Sequence, residues 1–109
     1  MNSEHIEQVN FVNWLEYNYP DEKFFAIPNG GKRLIKVASE LKAEGVKRGV
    51  PDLYFPRLKL WIEMKKVKGG SLSKEQKEWR DYLTDVCGDT WFCCNGFESA
   101  KEAYLSCTK

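Results

Sequence analysis

Residues 50–66 read VPDLYFPRLKLWIEMKK, and the alternation of apolar and polar side chains there predicts a β-hairpin. Side chains on a strand point to the two faces of the sheet in turn. With Arg57-Leu58 as the tight connection, Leu53 faces Ile62 across the hairpin. One face then carries only apolar side chains, and these form the predicted core face: Leu53, Phe55, Leu60, Ile62 and Met64.

The other face of the hairpin gathers two acids, a lysine and two aromatic residues: Asp52, Tyr54, Trp61, Glu63 and Lys65. A shift of one residue would bury Asp52 among aliphatic side chains, so the apolar pattern sets the register. Neighbouring carboxylates resist joint ionisation unless a cation lies between them, and Mg²⁺ prefers such oxygen ligands. Lys65 is placed to orient a nucleophilic water or to stabilise charge on a phosphorane-like transition state. The alternative is a solvated face with an ordinary Glu–Lys pair.

The remaining segments alternate between helical and extended patterns. We predict helices over residues 3–19 and 34–44, a strand over 24–27, a helix from Ser73, a strand over 90–94 and a final helix over 99–107. The first helix is expected to pack through the stripe Ile6, Val9, Val12 and Leu15. The second is expected to face inward through Leu34, Val37, Ala38 and Leu41. This order predicts one α/β domain over residues 1–109, a small mixed sheet flanked by helices.

Charge and composition limit the function classes. The 109 residues carry a net charge of +1, but eleven basic residues fall in the middle of the chain: Lys32, Arg33, Lys36, Lys42, Lys47, Arg48, Arg57, Lys59, Lys65, Lys66 and Lys68. Such segregation is typical of phosphate-binding surfaces, although a mixed solvated surface is the alternative. The four cysteines lack zinc-site spacing and are expected to be reduced. With no membrane-length apolar run and no signal-peptide pattern, we expect a cytoplasmic protein.

Several segments together resemble a known nuclease family. Pro51-Asp52, a short spacer and Glu63-Met64-Lys65 resemble the PD-(D/E)XK nuclease signature. Glu7, Pro28-Asn29-Gly30-Gly31, the segment 45–52 and the segment 70–76 extend the resemblance to its VRR-NUC branch, in the order of that family. The resemblance spans most of the chain and implies a restriction-endonuclease-like core.

The resemblance also implies roles for individual residues. Asp52, Glu63 and the main-chain carbonyl of Met64 match the metal ligands, and Lys65 matches the catalytic lysine. Glu7 and Gln76 match further active-site positions, and Glu7 could complete a second metal site. From the residues alone, Glu7 is also explained as an exposed acid at a helix N-terminus. Gln76 also fits a capping box with Ser73, and we expect that this role and an active-site role exclude one another.

The function expected from these features is a metal-dependent DNA endonuclease using Mg²⁺, with Mn²⁺ able to substitute. By resemblance it acts on branched or four-way junction DNA as a homodimer. The expected DNA contacts come from basic and glycine-turn positions: Lys47, Arg48, Asn29, Gly30 and Lys66. The alternatives are a nuclease-like DNA-binding module without catalysis and an interaction subunit of a larger replication or repair machine. The presence of Asp52, Glu63 and Lys65 together favours the enzyme.

Overall fold

A computed structural model describes residues 3–28 and 35–109 of the chain. The helices of the described residues are α1 (Glu4–Asn18), α2 (Ile35–Ala43), α3 (Lys74–Asp81) and α4 (Phe97–Cys107). The strands are β1 (Phe25–Ala26), β2 (Leu53–Phe55), β3 (Leu60–Lys65) and β4 (Thr90–Asn95). A π-helical turn, Tyr82–Val86, extends α3. No helix in these two ranges is both long enough and apolar enough to cross a membrane.

The predicted hairpin and its register are confirmed. β2 and β3 are antiparallel, with Leu53 opposite Ile62 and Phe55 opposite Leu60. The connection between them is a short 3₁₀ turn, Pro56–Leu58, after which Lys59 adopts the left-handed conformation that lets the chain reverse. β1 pairs antiparallel to β2, and β4 pairs parallel to β3 after the crossover through α3. The chain is therefore an α/β fold with a four-stranded mixed sheet in the order β1-β2-β3-β4.

The core lies on the hairpin face that the alternation predicted. All five apolar residues of that face are fully buried: Leu53, Phe55, Leu60, Ile62 and Met64. α1 contributes Phe11 and Leu15 to this core, and α4 contributes Ala100 and Tyr104. The opposite face of the sheet receives α3, whose Gln76 bonds to the side chains of β3. Helices therefore pack on both faces, and the hairpin lies between them.

The predicted inward stripe of α1 is confirmed for Val12 and Leu15 and wrong for Ile6 and Val9. Ile6 is 44% exposed and Val9 is 40% exposed, whereas Glu7, Phe11 and Leu15 are buried. Residues four apart share one side of a helix, so these three form the true inward stripe. This orientation lets the Phe11 ring pack 6.3 Å from the Phe55 ring. Burying Phe11 removes more apolar surface from water than burying Val9 would, so the larger ring determines the rotation of the helix.

The predicted inward face of α2 is also not observed. Val37 and Ala38 are exposed and Leu41 is only half-buried, while Leu34 lies outside the described residues. α1 and α4 supply the helical residues of the core cluster, and none of its members among the described residues comes from α2. The amphipathic pattern of α2 predicted the helix, but it did not predict how the helix is placed.

The central pair of the hairpin supports a stability prediction. Leu53→Ala and Ile62→Ala should each lower the free energy of unfolding by about 2–5 kcal/mol, because each leaves a cavity in a fully buried face. Denaturant unfolding followed by circular dichroism measures this. Val86→Ala is the control, since Val86 is exposed and its change should stay within about 0.5 kcal/mol. A near-neutral effect of both core variants would mean that the hairpin faces are inverted.

Candidate metal centre

The candidate site begins where β2 starts. β3 continues to Lys65, beyond Ile62, which faces Leu53 at the start of β2. The amide of Met64 therefore has no backbone partner on β2. The Asp52 side chain takes that place, and its Oδ2 accepts a hydrogen bond from the Met64 N–H at 2.6 Å. A strand residue directs its N–H and C=O to the same side, so the Met64 carbonyl lies on the side of Asp52. Asp52 is thus held at the open end of the hairpin.

Three carboxylates meet beside this end of the hairpin. Glu63 lies opposite Asp52 when the hairpin register is extended by one pair, and it is only 2% exposed. Glu4, from the first turn of α1, is the third. Each of the three offers an oxygen, and these oxygens all lie within 4.8 Å of one another. Glu4 was not predicted from the sequence. The sequence signal that indicates it is its position three residues before Glu7, on the same side of a helix.

Burial and mutual repulsion disfavour the charged forms of these acids. Burial, followed by the charge of Asp52, raises the pKa of Glu63 to about 9. Burial is also the main cause that raises the pKa of Asp52, although the Met64 N–H opposes it. The pKa of Glu4 is raised by burial and then by Asp52. Such a cluster favours a divalent cation, because the cation compensates the charge that the acids cannot hold together.

The side-chain amide of Gln76 connects Lys65 to Glu63 through two hydrogen bonds. Gln76 Oε1 accepts a hydrogen bond from Lys65 Nζ at 3.0 Å, and Gln76 Nε2 donates to Glu63 Oε2 at 3.1 Å. Lys65 Nζ itself lies 3.8 Å from Glu63 Oε2. The hydrogen bond from the Lys65 ammonium is charge-assisted, which makes it stronger than a neutral one. The ammonium is therefore held in one place beside the acids.

Gln76 caps α3 and also binds two side chains of the candidate site. Ser73 Oγ accepts from the Gln76 N–H at 3.1 Å, and Gln76 Oε1 accepts from the Ser73 N–H at 2.9 Å. A carbonyl oxygen accepts two hydrogen bonds, and the amide nitrogen remains available to donate. One side chain therefore closes the capping box and binds Lys65 and Glu63 at the same time.

Glu7 has a different position from the one predicted for a ligand. It is only 5% exposed, so the alternative of an exposed acid is wrong. Its Oε1 accepts a hydrogen bond at 2.7 Å from the N–H of Phe97, the first residue of α4. Gly96, which precedes α4, has no side chain to cap the helix, and the Glu7 carboxylate supplies the acceptor. Glu7 is not among the three acids that the structure brings together.

Of the residues predicted to contact DNA, Lys47 and Arg48 are exposed and lie in the turn before β2. Asn29 and Gly30 lie outside the described residues. This turn is tightly packed, because a Cβ at Gly49 would lie 2.7 Å from the Glu75 backbone. The two basic side chains are therefore presented from a turn that contacts the first turn of α3.

The loop after β3 is held more firmly than its glycines suggest. Asn95 Nδ2 donates to the carbonyls of Lys66 at 2.9 Å and Gly69 at 3.3 Å. Lys66 is exposed, and its charge favours the ionised form of Glu4. Arg57, one of the eleven basic residues in the middle of the chain, forms an ion pair with Glu22.

Comparisons with protein-family models, curated proteins and solved structures found no match to the chain. The geometry of the site is therefore the basis for assigning a function. An all-oxygen donor set from Asp52, Glu63 and Glu4 fits a hard divalent cation such as Mg²⁺ or Mn²⁺, and it does not fit the nitrogen and sulfur preference of zinc.

The acid cluster supports a prediction about pH. In the absence of metal, folded Glu63 keeps its proton up to about pH 9, whereas the unfolded chain releases it near 4.5. Unfolding then releases a proton, so the free energy of unfolding should fall as the pH rises through this window. The raised pKa values of Asp52 and Glu4 act in the same direction. Melting temperatures measured in EDTA across the window check this.

Glu63→Gln provides the control for that measurement. Glutamine keeps the volume of the side chain and an oxygen that can accept from Gln76, but it does not titrate, so the variant should show a much flatter dependence on pH. Equal slopes for wild type and variant would contradict the raised pKa of Glu63.

Proposed function

We propose that the chain is an endonuclease that hydrolyses DNA phosphodiester bonds with Mg²⁺ or Mn²⁺. The observation that carries this proposal is the convergence of three carboxylates with an ammonium that Gln76 holds 3.0 Å from its amide oxygen. In the proposed enzyme Asp52, Glu63 and the Met64 carbonyl hold the metal. The geometry adds Glu4 to this ligand set.

The chain's own residues have distinct parts in the proposed reaction. When bound, the metal supplies positive charge against the scissile phosphate and makes a water more acidic. Lys65 orients the attacking water or stabilises the negative charge that develops on phosphorus oxygens. Gln76 positions Lys65 and, through Glu63, keeps the ammonium beside the ligand set. Because Glu63 is only 2% exposed, its interaction with a cation is stronger than it would be at an exposed surface.

The proposed substrate is branched DNA, such as a four-way junction, cut by a homodimer. Support comes from the resemblance of residues 45–52, 62–65 and 70–76 to VRR-NUC nucleases. A chain of 109 residues also offers little surface for reading bases in the grooves, which favours recognition of backbone shape. Lys47, Arg48 and Lys66 are exposed and able to contact phosphates, and the same role is proposed for Asn29 and Gly30.

Cleavage of a four-way junction in Mg²⁺ tests the proposal. Asp52→Asn and Lys65→Ala should each reduce the cleavage rate by at least about a hundredfold, because each removes a charge that stabilises the transition state. The matched control is Lys68→Ala, which removes an exposed lysine three residues after Lys65 and should cleave at nearly the wild-type rate. Melting in EDTA should change little in all three variants, because these side chains lie off the buried apolar face.

Two outcomes would contradict the enzyme and favour its alternatives. Junction DNA that is shifted in a gel but never cut, with either Mg²⁺ or Mn²⁺, would indicate a DNA-binding module. Neither binding nor cutting of linear or branched DNA would favour an interaction subunit. Cleavage that persists in EDTA would exclude the proposed role of the acids.

Metal binding is testable without DNA. At a Mn²⁺ concentration about a hundred times Kd, wild type should gain about 2.7 kcal/mol of stability. Glu4→Gln should weaken Mn²⁺ binding about tenfold or more, because it removes the negative charge of one of the three converging carboxylates. Glu16→Gln, an exposed acid further along α1, is the control and should bind as wild type does. Calorimetric titration with MnCl₂ measures both, and equal affinity of the Glu4 and Glu16 variants would exclude Glu4 as a ligand.

A further inference from the structure

A row of aromatic side chains crosses the whole sheet beside the acid cluster. Phe25 on β1 pairs with Tyr54 on β2, Tyr54 pairs with Trp61 on β3, and Trp61 pairs with Trp91 on β4. All four therefore occupy one cross-strand row. Tyr54 and Trp61 alternate with the buried core residues of the hairpin, so this row lies on the face opposite the apolar core.

Part of this row is open to solvent and has little freedom to move. Phe25 is 50% exposed, and Tyr54 and Trp61 are half-buried. The Tyr54 and Trp61 ring centroids are 4.2 Å apart, and the Phe25 ring packs edge-on against Tyr54 at 5.8 Å. The Trp61 indole N–H donates to Asp89 Oδ2 at 3.0 Å, which fixes the orientation of that ring. These three rings form a preorganised apolar surface, here called the aromatic platform.

The other end of the row is covered. The Arg80 guanidinium of α3 lies 5.9 Å from the Trp91 ring centroid. α3 also carries Gln76, which bonds to Lys65 and Glu63. A ligand on the aromatic platform is therefore limited on the β4 side by α3, while on the β1 side Phe25 is half exposed among the described residues.

The aromatic platform and the acids occupy neighbouring rows of the same two strands. Asp52 immediately precedes β2 and is two residues before Tyr54. On β3, Glu63 is two residues after Trp61. Because the strands are antiparallel, both steps run in the same direction across the sheet. Two residues on a strand span about 7 Å. A ligand that uses both rows has a flat apolar part and, one row away, an anionic part that suits a divalent cation.

We infer that the aromatic platform of Phe25, Tyr54 and Trp61 binds an unpaired nucleobase next to a phosphodiester at the proposed cation site of Asp52 and Glu63. This inference rests on the proposed function and narrows its substrate. A base within a duplex has its faces covered by its neighbours, so only a base released from the stack can lie on protein rings. The site then selects DNA whose bases are unpaired beside the cleaved bond, as at a branch point or single-stranded gap.

A second protein copy is a poorer occupant of the same surface. A stable interface covers about 800 Å² on each partner, which extends well beyond one row of a sheet. A partner centred on the aromatic platform would also cover the acids about 7 Å away. It would then close the site that the proposed reaction requires.

Binding of matched oligodeoxynucleotides in EDTA tests the inference without cleavage. The probes are one single strand, its full duplex, and that duplex with a short single-stranded gap. The double variant Phe25→Leu/Tyr54→Leu keeps apolar bulk but removes two π-faces. It should bind the single strand and the gapped duplex roughly 5- to 100-fold more weakly, and the full duplex within about twofold of wild type. Circular dichroism melting confirms that the variant is folded.

Two further variants serve as controls. Tyr82→Leu removes an exposed aromatic ring outside the row and should bind all three probes as wild type does. Tyr54→Phe keeps the ring and removes only the hydroxyl, so it should retain wild-type binding. The fluorescence of 2-aminopurine in the gap should be quenched by wild type and by Tyr54→Phe, and it should be quenched much less by the double variant.

The results that would overturn the inference are distinct from those that would overturn the nuclease. An equal loss of affinity for paired and unpaired DNA in the double variant would exclude base stacking. A dimer that dissociates in the double variant, seen by analytical ultracentrifugation, would assign the platform to self-association. In either case junction cleavage by wild type would still support the enzyme. Wild type that neither binds nor cuts DNA would remove both.

Discussion

The pairing of Leu53 with Ile62 is the constraint on which the rest of the structure depends. Side chains in a strand alternate, so this one register sends five apolar side chains into the core and leaves the acids, the lysine and the aromatic rings on the other face. The core side is stabilised by apolar burial against α1 and α4. That stability allows the opposite face to gather groups that repel one another. The hairpin is thus both the centre of the core and the support of the candidate site.

The helices are tied to this support by hydrogen bonds at their first turns. α3 begins with a capping box whose glutamine, Gln76, also binds Lys65 and Glu63. α4 begins at Phe97, whose N–H is bound by Glu7 of α1. α1 in turn brings Glu4 to the acid cluster from its own first turn. The first turns of these three helices, where backbone N–H groups have no partner within the helix, are therefore connected to the sheet or to one another. A displacement of α1 or α3 would move a group of the candidate site, namely Glu4 or Gln76.

The polar face of the sheet also has an internal order. Strand alternation produces one row of aromatic rings and, next to it, one row with the carboxylates of Asp52 and Glu63. The Tyr54 and Trp61 ring centroids lie 4.2 Å apart, while Glu63 is nearly inaccessible to solvent. A surface that sets stacking groups about 7 Å from a cation site suits a ligand in which a flat base and a phosphodiester are neighbours. The proposed nuclease and its proposed preference for unpaired bases both rest on this arrangement.

The hairpin, its two faces, the capping box at Ser73 and the mixed sheet could be predicted from the sequence, because each depends on short-range periodicity or on residues three apart. Asp52, Glu63 and Lys65 are brought together for the same reason. Only tertiary structure decided that Glu4 rather than Glu7 joins them, since that depends on the rotation of α1, which the packing of Phe11 and Leu15 determines. The double role of Gln76 likewise required the docking of α3 on β3. Local pattern specifies which groups share one element, whereas contacts between elements are chosen by packing across the whole core, which no single segment encodes.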